Sequence, residues 1–443
     1  MAIDLLPRQR AAVAWLHEHQ GRGLLWMDAG TGKTFAALQY LLDVARKGRV
    51  LVLCPSVLKK QWASEAKLYC GANANIIDGS RSERVDQWKE NRWLSVANYE
   101  LLDRDFDVIS QITWLAVVAD ESQMLKSPTS KRWKLFRHGT KQCRPLDPPY
   151  RLALSGTPLP NALWEIWTTL DWIRPGILGS SFWSFRSTYC VTNPFIPGAI
   201  VGYRDEDRIR SAVAANSFRS VRDPGDLPAL TSRLLPVTLS PEEQALYEQL
   251  RKECRLVLGG VETLTVPNIL AQILRLRQLV DCPAVLGASV AGSKLAALDA
   301  LLAERDVKTI VFTEFESVAQ RIAMRHPSVV ISGRVNAKSR DVALHRFKTD
   351  ESCRLLVSTS AGQYGLNLQE AERVVHMGVP WNWARTEQRT ARAHRHGQTK
   401  EVEEVFVLAD GTVDTKMHQL ILNKKSLSDR LSAGEMGQLI YED

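Results

Sequence analysis

The residues Gly30-Thr31-Gly32-Lys33-Thr34 carry the strongest chemical signal in the chain. Glycines let backbone N–H groups curl around an anion, a lysine adds a mobile ammonium, and an adjacent hydroxyl suits magnesium; together these residue types build a phosphate cradle. The cradle ends the apolar run Leu24-Leu25-Trp26-Met27-Asp28-Ala29 and opens a helical stretch, Phe35 to Leu42, whose N-terminal dipole adds to the attraction. In such a loop Lys33 reaches the outer phosphates and Thr34 holds magnesium. The strict G-x-x-x-x-G-K-T pattern is missed, because Met27 stands where its first glycine belongs. A glycine turn between an ordinary strand and helix has the same spelling.

A partner signal lies downstream in Trp114-Leu115-Ala116-Val117-Val118-Ala119-Asp120-Glu121-Ser122-Gln123, an apolar strand that ends in adjacent carboxylates. Asp120 can hold the magnesium that bridges phosphates, and Glu121 can orient or deprotonate an attacking water. An Asp-Glu pair also starts many surface loops, but an upstream phosphate loop argues for chemistry. Arg151-Leu152-Ala153-Leu154-Ser155-Gly156-Thr157-Pro158 is a further strand ending in small hydroxyl residues. Ser155 and Thr157 either couple the phosphates to a second ligand or form a plain turn.

Far along the chain, Gln388 to Gln398 reads as a helix stopping at Gly397, with Gln388, Arg392 and Arg395 at i, i+4 and i+7 on one face. Arginines there serve solubility, or act as fingers on a transferring phosphoryl group, worth ~10³–10⁵ in rate. The fingers require two domains to close on one site. Lys131 to Arg137 and Lys141 to Arg144 are basic, and a solvated helix face explains them better than phosphate contact. Trp164, Trp167, Trp172 and Trp183 fall in an expected helical insertion, where Trp164 and Trp167 share a face and packing accounts for them.

The elements that must position these residues alternate. Helix Leu5 to His17 places Leu6, Val13 and Leu16 on a core face; strand Val50 to Cys54 stops at Pro55; helix Leu58 to Lys67 follows. Alternation of this kind builds a doubly wound parallel sheet with its ligands beyond the C-terminal strand ends. The proline-rich stretch from Arg222 to Pro241 marks a domain junction, and Glu242 to Val280 is helical with a break near Gly259-Gly260. A second alternating set follows: strands Thr309 to Phe312, Val329 to Ile331, Leu355 to Val357 and Val374 to Met377, with helices Leu295 to Leu302, Ser317 to Met324 and Asp341 to Phe347. It has no phosphate loop, so it is expected to serve the first site.

At 443 residues the chain exceeds the ~250–300 that one core holds, so two domains are expected. A hydrophobic share of 45% with 24% charged residues describes a soluble globular protein. A net charge of +8 suits a polyanionic partner without demanding one. The seven cysteines are odd in number and widely spaced, so neither a disulfide framework nor a zinc site is expected. No signal-like start and no apolar run near ~18 residues is present, so a cytoplasmic protein is expected.

With these residues in view, the chain resembles the Swi/Snf-type ATPases, a branch of helicase superfamily two, over nearly its whole length. Leu6-Pro7-Arg8-Gln9 is similar to the adenine-reading glutamine motif, Gly30 to Thr34 to motif I, and Pro55-Ser56-Val57-Leu58 with Trp62 to motif Ia. Asp120 to Gln123 resembles motif II and Ser155 to Asn161 motif III. Val311 to Phe315 resembles motif IV, Ser358 to Leu368 motif V, and Gln388 to Gln398 motif VI. Leu274 to Gln278 with Pro283 is similar to the family's helical protrusion. Two departures stand out: only Asp28 precedes motif I's first glycine where two acids are usual, and Gln123 replaces the common histidine of motif II.

The resemblance implies two RecA-like lobes, residues 1–223 with a helical insertion about 161–220 and residues 224–443 with a protrusion about 240–290, the nucleotide lying in the cleft between them. It implies a catalytic set of Lys33, Asp120, Glu121, Gln388, Arg392 and Arg395, and ATP contacts at Gln9, Asp28, Ala29, Gly30, Thr31, Gly32, Lys33, Thr34 and Gly365. Magnesium falls to Thr34 and Asp120, coupling to Ser155, Gly156 and Thr157, and DNA contact to Lys59, Lys60, Ser332, Gly333, Arg334, Ser360 and Trp381. The implied activity is that of a monomeric, ATP-driven motor on double-stranded DNA, with a DNA-bound protein as a cargo. A motor without targeting modules suggests a bacterial or viral origin. Two rivals stay open: an annealing or strand-separating motor at forks, and an ATP-gated DNA-binding module that has lost hydrolysis.

Overall fold

The computed structural model of the chain describes residues 5–28, 30–156, 158, 162–192, 200–221, 225, 227–259, 266–359, 366–381, 383–395 and 397–423. The chain divides into two units, Met1–Asp223 and Pro224–Asp443. In the first, β1 (Arg22–Met27), β2 (Arg49–Cys54), β3 (Asn75–Ile76), β4 (Leu94–Asn98), β5 (Trp114–Asp120) and β6 (Tyr150–Ser155) lie in one sheet. A small antiparallel pair, β7 (Cys190–Thr192) and β8 (Ile200–Tyr203), precedes β9 (Ser217–Ser220), which joins the main sheet. The strand order is β3-β4-β2-β5-β6-β1-β9, and every main-sheet pairing is parallel.

The central strands are apolar throughout because both their faces are covered. Period-two alternation sends Val50 and Val52 of β2, with Ala116 and Val118 of β5, into one core; Leu51, Leu53, Val117 and Ala119 enter the other. Helices Pro7–Glu18, Lys33–Ala45 and Lys59–Cys70 close the first core, and helices Glu100–Ile109, Lys131–His138 and Ile166–Ile173 the second. Leu38 and Leu41, on the helix that leaves the phosphate loop, are fully buried. Each contributes roughly 1.5–3 kcal/mol, which anchors the loop to the sheet.

The second unit has β10 (Leu230–Val237), β11 (Thr309–Phe312), β12 (Ser328–Ile331), β13 (Leu355–Ser358), β14 (Arg373–His376) and β15 (Val402–Ala409) in the order β10-β15-β14-β11-β13-β12, again all parallel. Helices Ser293–Glu304 and Glu316–Arg325 pack on one face over Val311, Val357, Val375 and Val405. Phe347, from helix Ala337–Thr349, fills the other face against Ile310, Leu356 and Val374. Helices Pro241–Gly259 and Val266–Asp281 form a third cluster with Met417 and Ile421.

Several expectations are corrected. The stretch from Arg222 to Pro241 is more than a junction, since Leu230–Val237 is β10 and pairs with β15 along its whole length. Pro236 is compatible with a strand there because β10 is a sheet edge, where a missing N–H breaks no ladder. The insertion expected to be helical also contains β7, β8 and β9. The Gln388-to-Gln398 helix ends early: the regular helix is Trp383–Thr390, and the chain then tightens through Arg392 N–H to Arg389 O at 3.0 Å and Ala393 N–H to Thr390 O at 3.1 Å. Arg392 and Arg395 therefore lie beyond the helix rather than on a continuous face. Leu6, expected on a core face, is 37% exposed, while Val13 and Leu16 are buried.

The tryptophans pack as expected, Trp133 against Trp167 at 6.3 Å and Phe136 against Trp172 at 4.9 Å, while Trp183 is 66% exposed. All seven cysteines are free thiols. Among the described residues, no helix is long and apolar enough to cross a membrane.

Candidate nucleotide site

Strands β1, β6 and β5 are adjacent and parallel, so their C-terminal ends open on one sheet edge. Trp26 is in register with Ser155, and Leu154 with Asp120, which brings the phosphate loop, Ser155 and the carboxylate pair together from three distant sequence stretches.

Gly30 and Gly32 have φ of +81° and +83°, backbone that a side chain resists. A Cβ on Gly32 would fall 2.0 Å from Gln9 Nε2, so a side chain there would displace the Gln9 amide. Gln9 is buried; its Oε1 accepts from the Leu6 N–H at 2.9 Å and its Nε2 donates to Thr31 O at 3.4 Å. The glutamine expected to read a base thus braces the loop. Within the loop, Thr31 donates its hydroxyl to Asp28 O at 2.7 Å, and Lys33 Nζ reaches Met27 O at 3.5 Å. Helix Lys33–Ala45 starts directly after Gly32, so its first N–H groups face the loop.

Asp120 ends β5 at 4% exposure; its Oδ2 accepts from Trp62 Nε1 at 2.8 Å and its Oδ1 from the Glu121 N–H at 3.0 Å. Burial, and then the neighbouring Glu121 charge, push its carboxyl up to about 7, with Lys33 pulling the other way. A carboxylate oxygen at a strand end beside a loop built for phosphates is the hard donor that magnesium takes. The residues therefore fit a magnesium ion carried by a nucleotide, which binds few carboxylates and several phosphate oxygens. Tyr99 fixes the strand end by donating its hydroxyl to Asp120 O at 2.8 Å.

Glu121 adopts left-handed backbone, φ +52°, which is uncommon for a residue with a Cβ. Its Oε2 accepts from Gln123 Nε2 at 2.6 Å, and Gln123 Oε1 accepts from the Ser155 hydroxyl at 2.8 Å. Gln123, the departure in motif II, thus joins the two neighbouring strand ends through one side chain. Among the described residues, no group of three or more His, Cys, Asp or Glu side chains makes a metal site by itself.

In the second unit, Gln388 and Arg392 are buried, and Arg392 Nε donates to Gln388 O at 2.9 Å. Ser332 is also buried, whereas Gly333 and Arg334 are exposed. Trp381 is half-buried, 5.8 Å from the Arg277 guanidinium, which is the packing role rather than an open face. Back in the first unit, Lys60 is exposed, but Lys59 is turned inward, donating to Ile77 O at 2.9 Å and pairing with Asp78 at 3.3 Å. The Lys59 charge is committed to the fold, which corrects its expected DNA contact. Ala29, Thr157, Ser360 and Gly365 lie outside the described residues.

Residues 8–285 match the SNF2-related domain, and residues 293–397 match the helicase conserved C-terminal domain. The chain belongs to the SNF2-related family of helicase-like ATP hydrolases. Among its relatives, YwqA of Bacillus subtilis, named as an ATP-dependent helicase/translocase, is 27% identical, with 97% of this chain and 49% of YwqA covered. An uncharacterized ATP-dependent helicase of Mycoplasma pneumoniae is 29% identical over 95% of this chain and 41% of its own. A chromodomain-helicase-DNA-binding protein 1-like from Danio rerio is 26% identical, covering 97% and 44%. The chain thus spans half or less of the length of these relatives. The Sulfolobus solfataricus SWI2/SNF2 ATPase core, solved in complex with dsDNA, has 24% identity and a TM-score of 0.45, covering all of this chain and 96% of that one.

Three residues of this SNF2-related site were not assigned a role from sequence. Trp62 holds the motif II aspartate, Tyr99 holds its carbonyl, and Arg219 pairs with Asp28 at 3.0 Å. Each reaches the site through strand order, so spacing along the chain gives no sign of it. In the second unit Arg389, fully buried and likewise given no role from sequence, pairs with Glu314 just after β11 and sits 5.2 Å from the Phe312 ring.

Proposed function

We propose that this chain is an ATP-driven motor that moves along double-stranded DNA, remodelling the DNA or displacing a bound protein. The observation that supports it most is the Glu121–Gln123–Ser155 relay. It ties the residue suited to activating water to the strand end suited to sensing a second ligand.

In this reading Lys33 and the helix N-terminus hold the β and γ phosphates, Gln9 keeps the loop in its turned shape, and Glu121 orients the attacking water. Asp120 and Thr34 would hold a magnesium ion, which supplies charge neutralisation on the phosphates. Arg392 and Arg395 neutralise charge on the transferring group. Among the described members of the DNA set, Lys60, Gly333 and Arg334 are exposed. Contacts of this kind grip phosphate without reading bases, so binding tolerates sequence and weakens with salt. The relatives' names, which include helicases and a helicase/translocase, support a DNA motor of this class.

The experiment is displacement of a third strand from a triplex on a long duplex, alongside unwinding of a forked duplex, each with ATP. A translocase displaces the third strand and leaves the fork paired. Fork separation or annealing without triplex displacement would favour the fork motor instead.

A further inference from the structure

Asp28 opens the phosphate loop and is bonded on every side to something with a stake in the loop's shape. Its carbonyl accepts from the Thr31 hydroxyl at 2.7 Å and from the Thr31 N–H at 3.3 Å. Its own N–H donates to Ser220 O at 3.2 Å, and its Oδ1 accepts from Arg219 Nη1 at 3.0 Å. Two of these links leave the loop and end on consecutive residues of β9.

Strand β9 is the last strand of the first unit. It pairs with β1 so that Trp26 faces Arg219 and Met27 faces Ser220, and the unit ends at Asp223. The Arg219 guanidinium lies 4.6 Å from the centre of the Trp26 ring, and Trp26 is in register on its other side with Ser155. The Arg219 and Asp28 side chains are 42% and 28% exposed, so as an ordinary surface ion pair this one would add little to stability. Its position gives it another use. It joins the entry of the phosphate loop to the strand from which the chain crosses into the second unit.

We propose that Arg219 is a positioning residue that holds Asp28 at the mouth of the phosphate loop and passes the loop's nucleotide state to the crossover between the units. When phosphates enter the cradle the loop adjusts at Asp28, and both β9 links must follow or break. The chain beyond Ser220 then receives a pull that differs between nucleotide states. Spatial adjacency alone does not establish such coupling, so the test must read both ends of the link. The proposal rests on the nucleotide reading of the site, and its DNA-dependent arm rests also on the motor reading.

The full chain is compared with Arg219→Ala and Arg219→Lys. Hydrogen exchange of the amides from residues 217 to 221 is followed with and without the non-hydrolysable probe AMP-PNP and magnesium. ATP turnover is measured with and without duplex DNA. In the wild type, AMP-PNP slows exchange in this segment. Arg219→Ala should keep KM for ATP within about threefold, lose that protection, and lose about tenfold in duplex-stimulated kcat. Lysine keeps the charge, so Arg219→Lys should recover at least half of the lost protection.

A rise of about tenfold or more in KM with protection intact would make Arg219 a nucleotide contact and overturn the proposal. So would an alanine variant indistinguishable from wild type, or a wild type whose segment ignores AMP-PNP. A wild type that binds AMP-PNP but is not stimulated by duplex DNA would remove the motor reading, while the exchange data would still decide the role of Arg219.

Discussion

Glu121 occupies left-handed backbone at a cost of roughly 1–2 kcal/mol, and such strain persists only where the surroundings fix it. The Glu121 N–H donates to Asp120 Oδ1 at 3.0 Å and the Glu121 carbonyl accepts from the Met124 N–H at 2.9 Å, which hold the backbone, while Gln123 orients the carboxylate. A carboxylate only accepts, so the Gln123 amide must turn its NH2 to Glu121 and its carbonyl to the Ser155 hydroxyl. Gln123→Ala should lower kcat by about 10- to 100-fold in steady-state kinetics while leaving KM for ATP within about threefold. A raised KM with unchanged kcat would instead make Gln123 a binding residue. Glu121→Gln should still bind nucleotide, measured by fluorescence titration, and lose about 10²–10⁴ in turnover; wild-type turnover would remove Glu121 from the reaction. That Lys33, Asp120 and Glu121 meet at one sheet edge was legible because each lies at or closely after the end of an apolar strand. Trp62 and Tyr99 were not, since they reach Asp120 from helices and loops that only the strand order brings near.

At the scale of elements, strands buried on both faces were readable as apolar runs, and β5, β11 and β13 lie where the pattern placed them. Strand β10 was hidden because it is an exposed edge carrying a proline, and β9 because Phe218 is the one apolar residue in Ser217–Ser220. The helix Trp383–Thr390 shows a different limit. Its expected end at Gly397 followed from sequence, but Gln398 gathers the carbonyls of Gln369 and Ala371, each at 2.9 Å, and draws the chain out of helical geometry earlier. That helix is pinned by Arg389 to Glu314. Burial pushes the Glu314 carboxyl up, and the Arg389 and Arg277 guanidiniums outweigh it and hold it below the usual range. Removing one partner of a buried pair leaves the other charge stranded, so Arg389→Met should cost about 3–5 kcal/mol by denaturant unfolding. Adding Glu314→Gln should recover at least half of that loss. Unchanged stability in the single variant would show that the pair does not pin the helix.

For the whole molecule, length and alternation pointed to two parallel α/β domains, and two such units are present. Net charge said least, because +8 spread over 443 residues does not name a partner. In the motor reading proposed above, the hydrogen-bonded chain from Glu121 through Gln123 to Ser155 is what links the water site to a second ligand. The most direct measurement is therefore ATP turnover of the purified chain alone and with single-stranded DNA, duplex DNA or duplex RNA, each at two salt concentrations. Turnover should rise strongly with duplex DNA and fall back as salt releases the phosphate grip. Stimulation by single strands or RNA alone, or no turnover with any of them, would contradict the account.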